Sequence, residues 1–144
     1  MNGSISESYL YSLKQHADDC EANLKLLAKQ YQQGPLSRIQ LLAAERILQV
    51  LLEATIGAAK HWAKKVTGHP SNEAMKAFNV LLQAGLISDD IPWRKLVGLR
   101  NTLVHDYLDV DPEIVKSVIT ERYYLQALDF IKQAIEALSA GEEQ

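Results

Sequence analysis

"LSRIQLLAAERILQVLLEATIGAAKHWAKKV", residues 36–66, is the stretch on which the fold turns. Ile39, Ala43, Ile47, Val50, Ala54, Ala58 and Trp62 recur three or four apart, the period of one helical face and not the two-residue alternation of a strand. Leu41, Leu48, Leu52, Thr55 and Ala59 add a second apolar face. A helix apolar on two sides cannot lie on a wet surface; it belongs at the centre of a bundle or against another chain.

The segments on either side extend the pattern. Upstream, Leu10, Leu13, Ala17, Cys20, Leu24, Leu27 and Tyr31 form a narrow seam on a helix expected from about Ser4 to Gln33, stopped by Gly34 and Pro35. Downstream, "TGHPS" at 67–71 breaks the second helix, and Ser71 suits the N-cap of a short third one through Ala84. "AGLISDDIP" at 84–92 connects to a fourth helix, expected from about Ile91 to Val104 with Asp89 or Asp90 near its start. Asp111 is a natural N-cap with Pro112 at the first helical position. Ile114, Val118, Leu125, Leu128, Ile131, Ile135 and Leu138 then carry a fifth helix. No segment reads as a strand. The expectation is an all-α, up-and-down bundle of about five helices, one domain over 1–144 with short disordered ends at about 1–4 and 139–144.

Composition narrows the function. At 144 residues, 47% hydrophobic and 23% charged, the chain can bury a proper core. A net charge of -3 and a pI near 5.8 give no general attraction to nucleic acid, so any such contact must be local or built by an oligomer. The single cysteine, Cys20, excludes an internal disulfide and a cysteine-rich metal site; lying in the seam, it reads as a packed thiol. The first residues, "MNGSISESYLYSLK", lack the pattern of a secretory signal, and no run is long enough for a membrane span. A cytoplasmic location is the expectation.

Function concentrates in "GLRNTLVHDY", residues 98–107. With Arg100 at zero on a helical wheel, Trp93, Leu96, Val97, Leu103 and Val104 all fall within about 60° of it. The arginine therefore sits at the centre of the apolar stripe, where a permanently charged guanidinium is costly unless paired. One reading is a structural ion pair, with Glu45 or Glu53 of the second helix as partner. The other is a pocket or wet interface. His105 lies about 140° round and about 7.5 Å along the axis from Arg100, too far for contact on one ideal helix. The two could clasp a phosphodiester between them, or meet across a dimer axis.

"GLRNTLVHDY" resembles the R-x4-H-x-Y signature of HEPN-domain proteins, in particular the HepT-like toxin branch paired with a minimal nucleotidyltransferase (MNT). "ERILQVLLEA" at 45–54 and "LLQAGLI" at 81–87 are similar to that family's second helix and to its third helix and turn. The resemblance spans about Leu41 to Pro112. It implies a homodimeric, metal-independent endoribonuclease toxin of a type VII toxin–antitoxin system, with no cofactor and a composite site in the dimer cleft. By position, Arg100 and His105 are its catalytic pair, Asn101 and Asp106 its supporting residues. Arg100 would hold the scissile phosphate and His105 would move protons, leaving a 2′,3′-cyclic phosphate. Tyr107 matches the tyrosine that the cognate nucleotidyltransferase antitoxin AMPylates to neutralise the toxin. The partners implied are an RNA substrate, a second copy and that antitoxin, in a larger hetero-complex.

A rival reading makes the chain a non-catalytic dimeric partner that presents substrate to a nucleotidyltransferase. Catalysis predicts Arg100 and His105 lining an open cleft; a scaffold predicts Arg100 capped by Glu45 or Glu53 and sealed. His16, His61 and His69 show no metal-ligand spacing and read as surface, packing or loop residues. Lys60, Lys64 and Lys65 around Trp62 read as a solvated helix face before a nucleic-acid one, and Arg94 and Lys95 are candidates to line an RNA path.

Overall fold

The computed structural model describes residues 5–140; the expected disorder at 1–4 and beyond 140 lies outside them. Among the described residues six α-helices follow one another: α1 Glu7–Gln32, α2 Arg38–Thr67, α3 Ala74–Gln83, α4 Trp93–His105, α5 Pro112–Thr120 and α6 Tyr124–Ala140, with a 3₁₀ turn at Tyr107–Asp109 between α4 and α5. Among the described residues there is no strand, and no helix is long and apolar enough to cross a membrane.

The α1–α2 hairpin closes through local chemistry. Gln33 and Gly34 donate back to Gln30 and Tyr31, ending α1. Ser37 and Gln40 then form a reciprocal capping box at 3.1 and 2.7 Å, satisfying two of the amides that every helix start leaves open. At the other end, Gly68 takes φ +81° and its amide donates to Lys64, a conformation that costs glycine nothing.

α2 is the central helix, packed by α1, α3, α4 and α6. Its fully covered face runs through Ala44, Leu48, Leu51, Leu52, Thr55, Ile56, Ala59 and Ala63. The face of Ile39, Ala43, Ile47, Val50 and Ala54 is fully covered only towards its C-terminal end, at Ala58 and Trp62. Near its start, Ile39 is 79% exposed and Leu42 is also open. The α1 seam is buried from Leu10 to Leu27 with Cys20 inside it. Burial, with a smaller contribution from Asp19, raises that thiol's pKa to about 11.

An aromatic cluster fixes α4. Trp93 stacks on Phe78 of α3 at 4.8 Å and meets Phe130 of α6 edge-on at 5.1 Å; Phe130 also touches Trp62 of α2 at 5.7 Å. The Trp93 indole N–H donates to the Ser88 carbonyl at 2.9 Å. Four helices thus converge on the first turn of the helix that carries the motif.

Four boundaries differ from expectation. The fifth helix is two: Arg122 adopts φ +60°, and the amides of Arg122 and Tyr123 fold back to Ile119 and Val118, closing α5 before α6 begins. The apolar spacing had skipped from Val118 to Leu125, and the charged Glu121 and Arg122 fill that gap. α3 starts at Ala74, its first buried residue, with Glu73 and not Ser71 before it. α4 starts at Trp93 with Pro92 before it, not near Asp89 or Asp90; Ile91 precedes a proline, which disfavours helical backbone there. Finally, α6 remains helical through Ala140, so Ser139 and Ala140 are ordered, with the Ser139 hydroxyl donating to Ile135. Asp111 caps α5 as expected, accepting from Glu113 at 2.9 Å with Pro112 in the first turn.

Candidate active site

The stripe read from the helical wheel is present: Trp93, Leu96, Val97 and Leu103 of α4 are buried, and Arg100 lies among them facing α2. Of the two acidic partners considered, Glu53 makes the pair. Arg100 Nη1 donates to Glu53 Oε1 at 2.7 Å, and Arg100 Nε donates to Asn101 Oδ1 at 2.9 Å. The pair is capped without being sealed: the Arg100 side chain is 21% exposed and that of Glu53 47%.

α4 ends at His105, which is exposed at the final turn. Asp106 leaves helical geometry at φ -125° and ψ 41°, its amide still bonded to Thr102. The chain then tightens into the 3₁₀ turn that presents Tyr107, 66% exposed, and Leu108, 87% exposed. Within one chain, then, Arg100 and Asn101 are joined by a hydrogen bond, and His105, Asp106 and Tyr107 follow along the end of the same helix. The structure does not bring the arginine and histidine into one pocket. A groove of about 780 Å³ does run along α4 towards α5 and α6. It meets α4 at Lys95, Leu96, Gly98, Leu99 and Thr102, and neither Arg100 nor His105 lines it.

The remaining candidates fall into structural roles or open surface. Trp62 is buried against Phe130 and so is not interleaved with the lysines. Lys65 Nζ donates to the Ala137 carbonyl, tying the end of α2 to α6. The His61 ring lies 4.5 Å from that of Tyr9, and burial, aided by Lys64, lowers its pKa. His16 and His69 are exposed, as are Arg94 and Lys95. Among the described residues no three His, Cys, Asp or Glu side chains gather to hold a metal ion. Glu53 contacts the candidate Arg100 as its charge partner; its signal in the sequence is that Glu45 and Glu53 are the acidic residues of α2.

A helical bundle with this helix order, presenting an arginine near the middle and a histidine at the end of one helix, defines an all-α domain with its candidate polar groups on α4. Two solved structures share the fold. One is a toxin–antitoxin with AMP-PNP (TM-score 0.70, 22% identity, 88% of this chain and 99% of that one). The other is a tri-AMPylated HEPN toxin from Shewanella oneidensis in complex with an MNT antitoxin (TM-score 0.70, 24% identity, 89% and 98%). The profile of the family described as ribonuclease HepT-like matches residues 13–138, and the chain belongs to that ribonuclease family. Similar proteins include the mRNA nuclease HepT of Shewanella oneidensis, 33% identical over 59% of this chain and 67% of that protein. The tRNA nuclease HepT of Aphanizomenon flos-aquae is 32% identical over 56% of each.

Proposed function

We propose that the chain is an endoribonuclease toxin acting as a homodimer, with Arg100 and His105 as its catalytic pair. The observation that carries this reading is an arginine oriented on two sides yet still open to solvent, five residues before an exposed histidine at a helix end. Arg100 binds a non-bridging oxygen of the scissile phosphate and offsets the charge that grows there in the transition state. The ribose 2′-oxygen attacks phosphorus as its proton passes to a base; the bond from phosphorus to the 5′-oxygen breaks as that oxygen is protonated. His105 suits either proton transfer, since an imidazole exchanges protons near neutral pH. The ends left are a 2′,3′-cyclic phosphate and a 5′-hydroxyl, and no metal enters the scheme. The names of the two relatives divide between mRNA and tRNA, so the substrate class proposed is RNA.

A dimer answers the separation of the two side chains. On α2, Ile39, Leu42, Ala43, Arg46, Val50, Glu53 and Ala54 fall within about 60° of one line, and the apolar members near its start are open in the single chain. A second copy covering that line brings its own motif helix towards Arg100 and builds the cleft from both chains. Tyr107 is proposed as the site of AMP transfer by a cognate nucleotidyltransferase. The phenolic oxygen attacks the α-phosphorus of ATP, its proton is lost, and pyrophosphate leaves. The added nucleotide crowds the motif with bulk and negative charge and repels RNA. Asp106, beside both His105 and Tyr107 in the chain, completes the polar end of α4.

The scaffold reading draws on one observation, the Glu53–Arg100 pair it requires; the exposure of both side chains counts against the sealed form it also requires. The experiment is induction of the protein without its neighbour, beside Arg100→Ala and His105→Ala. Growth arrest with cyclic-phosphate RNA ends in the wild type, and neither in the folded variants, is the expected result. A harmless wild type that leaves RNA intact would assign the chain to substrate presentation.

A further inference from the structure

We infer that Glu53 is a positioning residue of the ribonuclease site, acting through Arg100; the inference rests on the catalytic reading of that arginine. Guanidinium is a flat group with five N–H donors, and among the described residues two of them are engaged from different sides. Asn101 takes the Nε hydrogen at 2.9 Å from the same helix, and Glu53 takes one Nη1 hydrogen at 2.7 Å from α2. Two anchors at different nitrogens fix both the plane and its rotation. The hydrogens on Nη2, with the second on Nη1, stay available to a phosphate.

A merely structural role explains this poorly. The carboxylate is about half exposed, and an ion pair that open to water and salt adds little to stability. What the contact does supply is direction, because a long side chain reaching a scissile phosphate loses rate steeply when its head group wanders. The arrangement also explains why an acidic residue sits at a site for a polyanion. Its charge opposes RNA slightly in the ground state, and the orientation it imposes is realised in the transition state. Removing it should therefore lower turnover without weakening binding, a pattern unlike loss of Arg100 itself.

The test compares Glu53→Ala and Glu53→Gln with the wild-type full-length protein on a defined RNA oligonucleotide, with folding checked by circular dichroism. Glu53→Ala is expected to lower kcat by about tenfold to a hundredfold with KM unchanged or reduced. Glu53→Gln, which keeps an acceptor for Nη1, should recover most of the rate. If wild type cleaves and Glu53→Ala is as fast or faster, the inference is overturned and the ribonuclease reading stands. A second readout does not depend on cleavage: rotation of the Arg100 guanidinium about Nε–Cζ, followed by nitrogen-15 NMR, should be slow in the wild type and fast in Glu53→Ala. Equal rotation in both would overturn the positioning role. A wild type that fails to cleave would sink the catalytic reading separately.

Discussion

At the scale of single residues, two titrating groups give opposite pH signatures, the buried Cys20 and the largely exposed His61. Cys20 in the α1 seam has its pKa raised from 9.0 to about 11. Below pH 9 the thiol is neutral whether the chain is folded or not; between 9 and 11 the unfolded chain gains a thiolate that the folded one resists, so stability falls with rising pH. Cys20→Ala should flatten that part of the alkaline slope in denaturant titrations. His61 runs the other way. Burial and then Lys64 hold its folded pKa below the ordinary 6.5, so as pH drops through that value the unfolded chain takes up the proton first and stability declines. His61→Gln should remove that portion of the acid limb and leave stability near pH 8 little changed. Cys20 was legible as a packed thiol because its seam repeats so regularly. The partner of Arg100 was legible only as a choice of two, since Glu45 and Glu53 differ by eight positions and helical period alone does not say where α4 crosses α2.

At the scale of elements, the aromatic cluster and the α5–α6 break carry the predictions. Trp93→Ala empties a site shared by α3, α4 and α6 and should cost about 3–5 kcal/mol, read as a lower denaturation midpoint. Because that cluster anchors the first turn of α4, RNA cleavage should fall with it. Arg122→Gly should do the reverse. A non-glycine residue at φ +60° carries a steric cost that glycine avoids, so a gain of about 0.5–1 kcal/mol is expected in thermal unfolding. The long apolar patterns of α1 and α2 gave helix type and order correctly, because each ran for several turns. The junction at Arg122 was harder to read: the spacing of seven across it fits one continuous helix as well as two. The left-handed backbone at Arg122 and the hydrogen bonds that fold back on Val118 and Ile119 distinguish them.

At the scale of the whole molecule, the prediction concerns the partly open line on α2. Ile39→Asp and Leu42→Arg change side chains that are exposed in the single chain, so each should leave the helical fold and its melting temperature nearly unchanged. If that line is covered by a second copy, both variants should sediment as monomers and lose cleavage together. Retained dimers would move the interface elsewhere. The bundle was legible from periodicity, whereas a site shared between two chains is only what the resemblance to HEPN proteins implies, because spacing along one chain describes one chain. The wide separation of Arg100 and His105 on a single helix is why geometry alone leaves that site a proposal.

The 3₁₀ turn at Tyr107–Asp109 has one more consequence. It holds out an aromatic residue followed by a leucine, the bond a chymotrypsin-like protease prefers, on a short segment with both side chains largely in water. A brief digestion of the isolated protein should nick the chain first beside Tyr107, giving two fragments of unequal size. A partner seated over that turn, or a nucleotide on its phenol, should suppress the nick, so that a single gel band reports whether the turn is free.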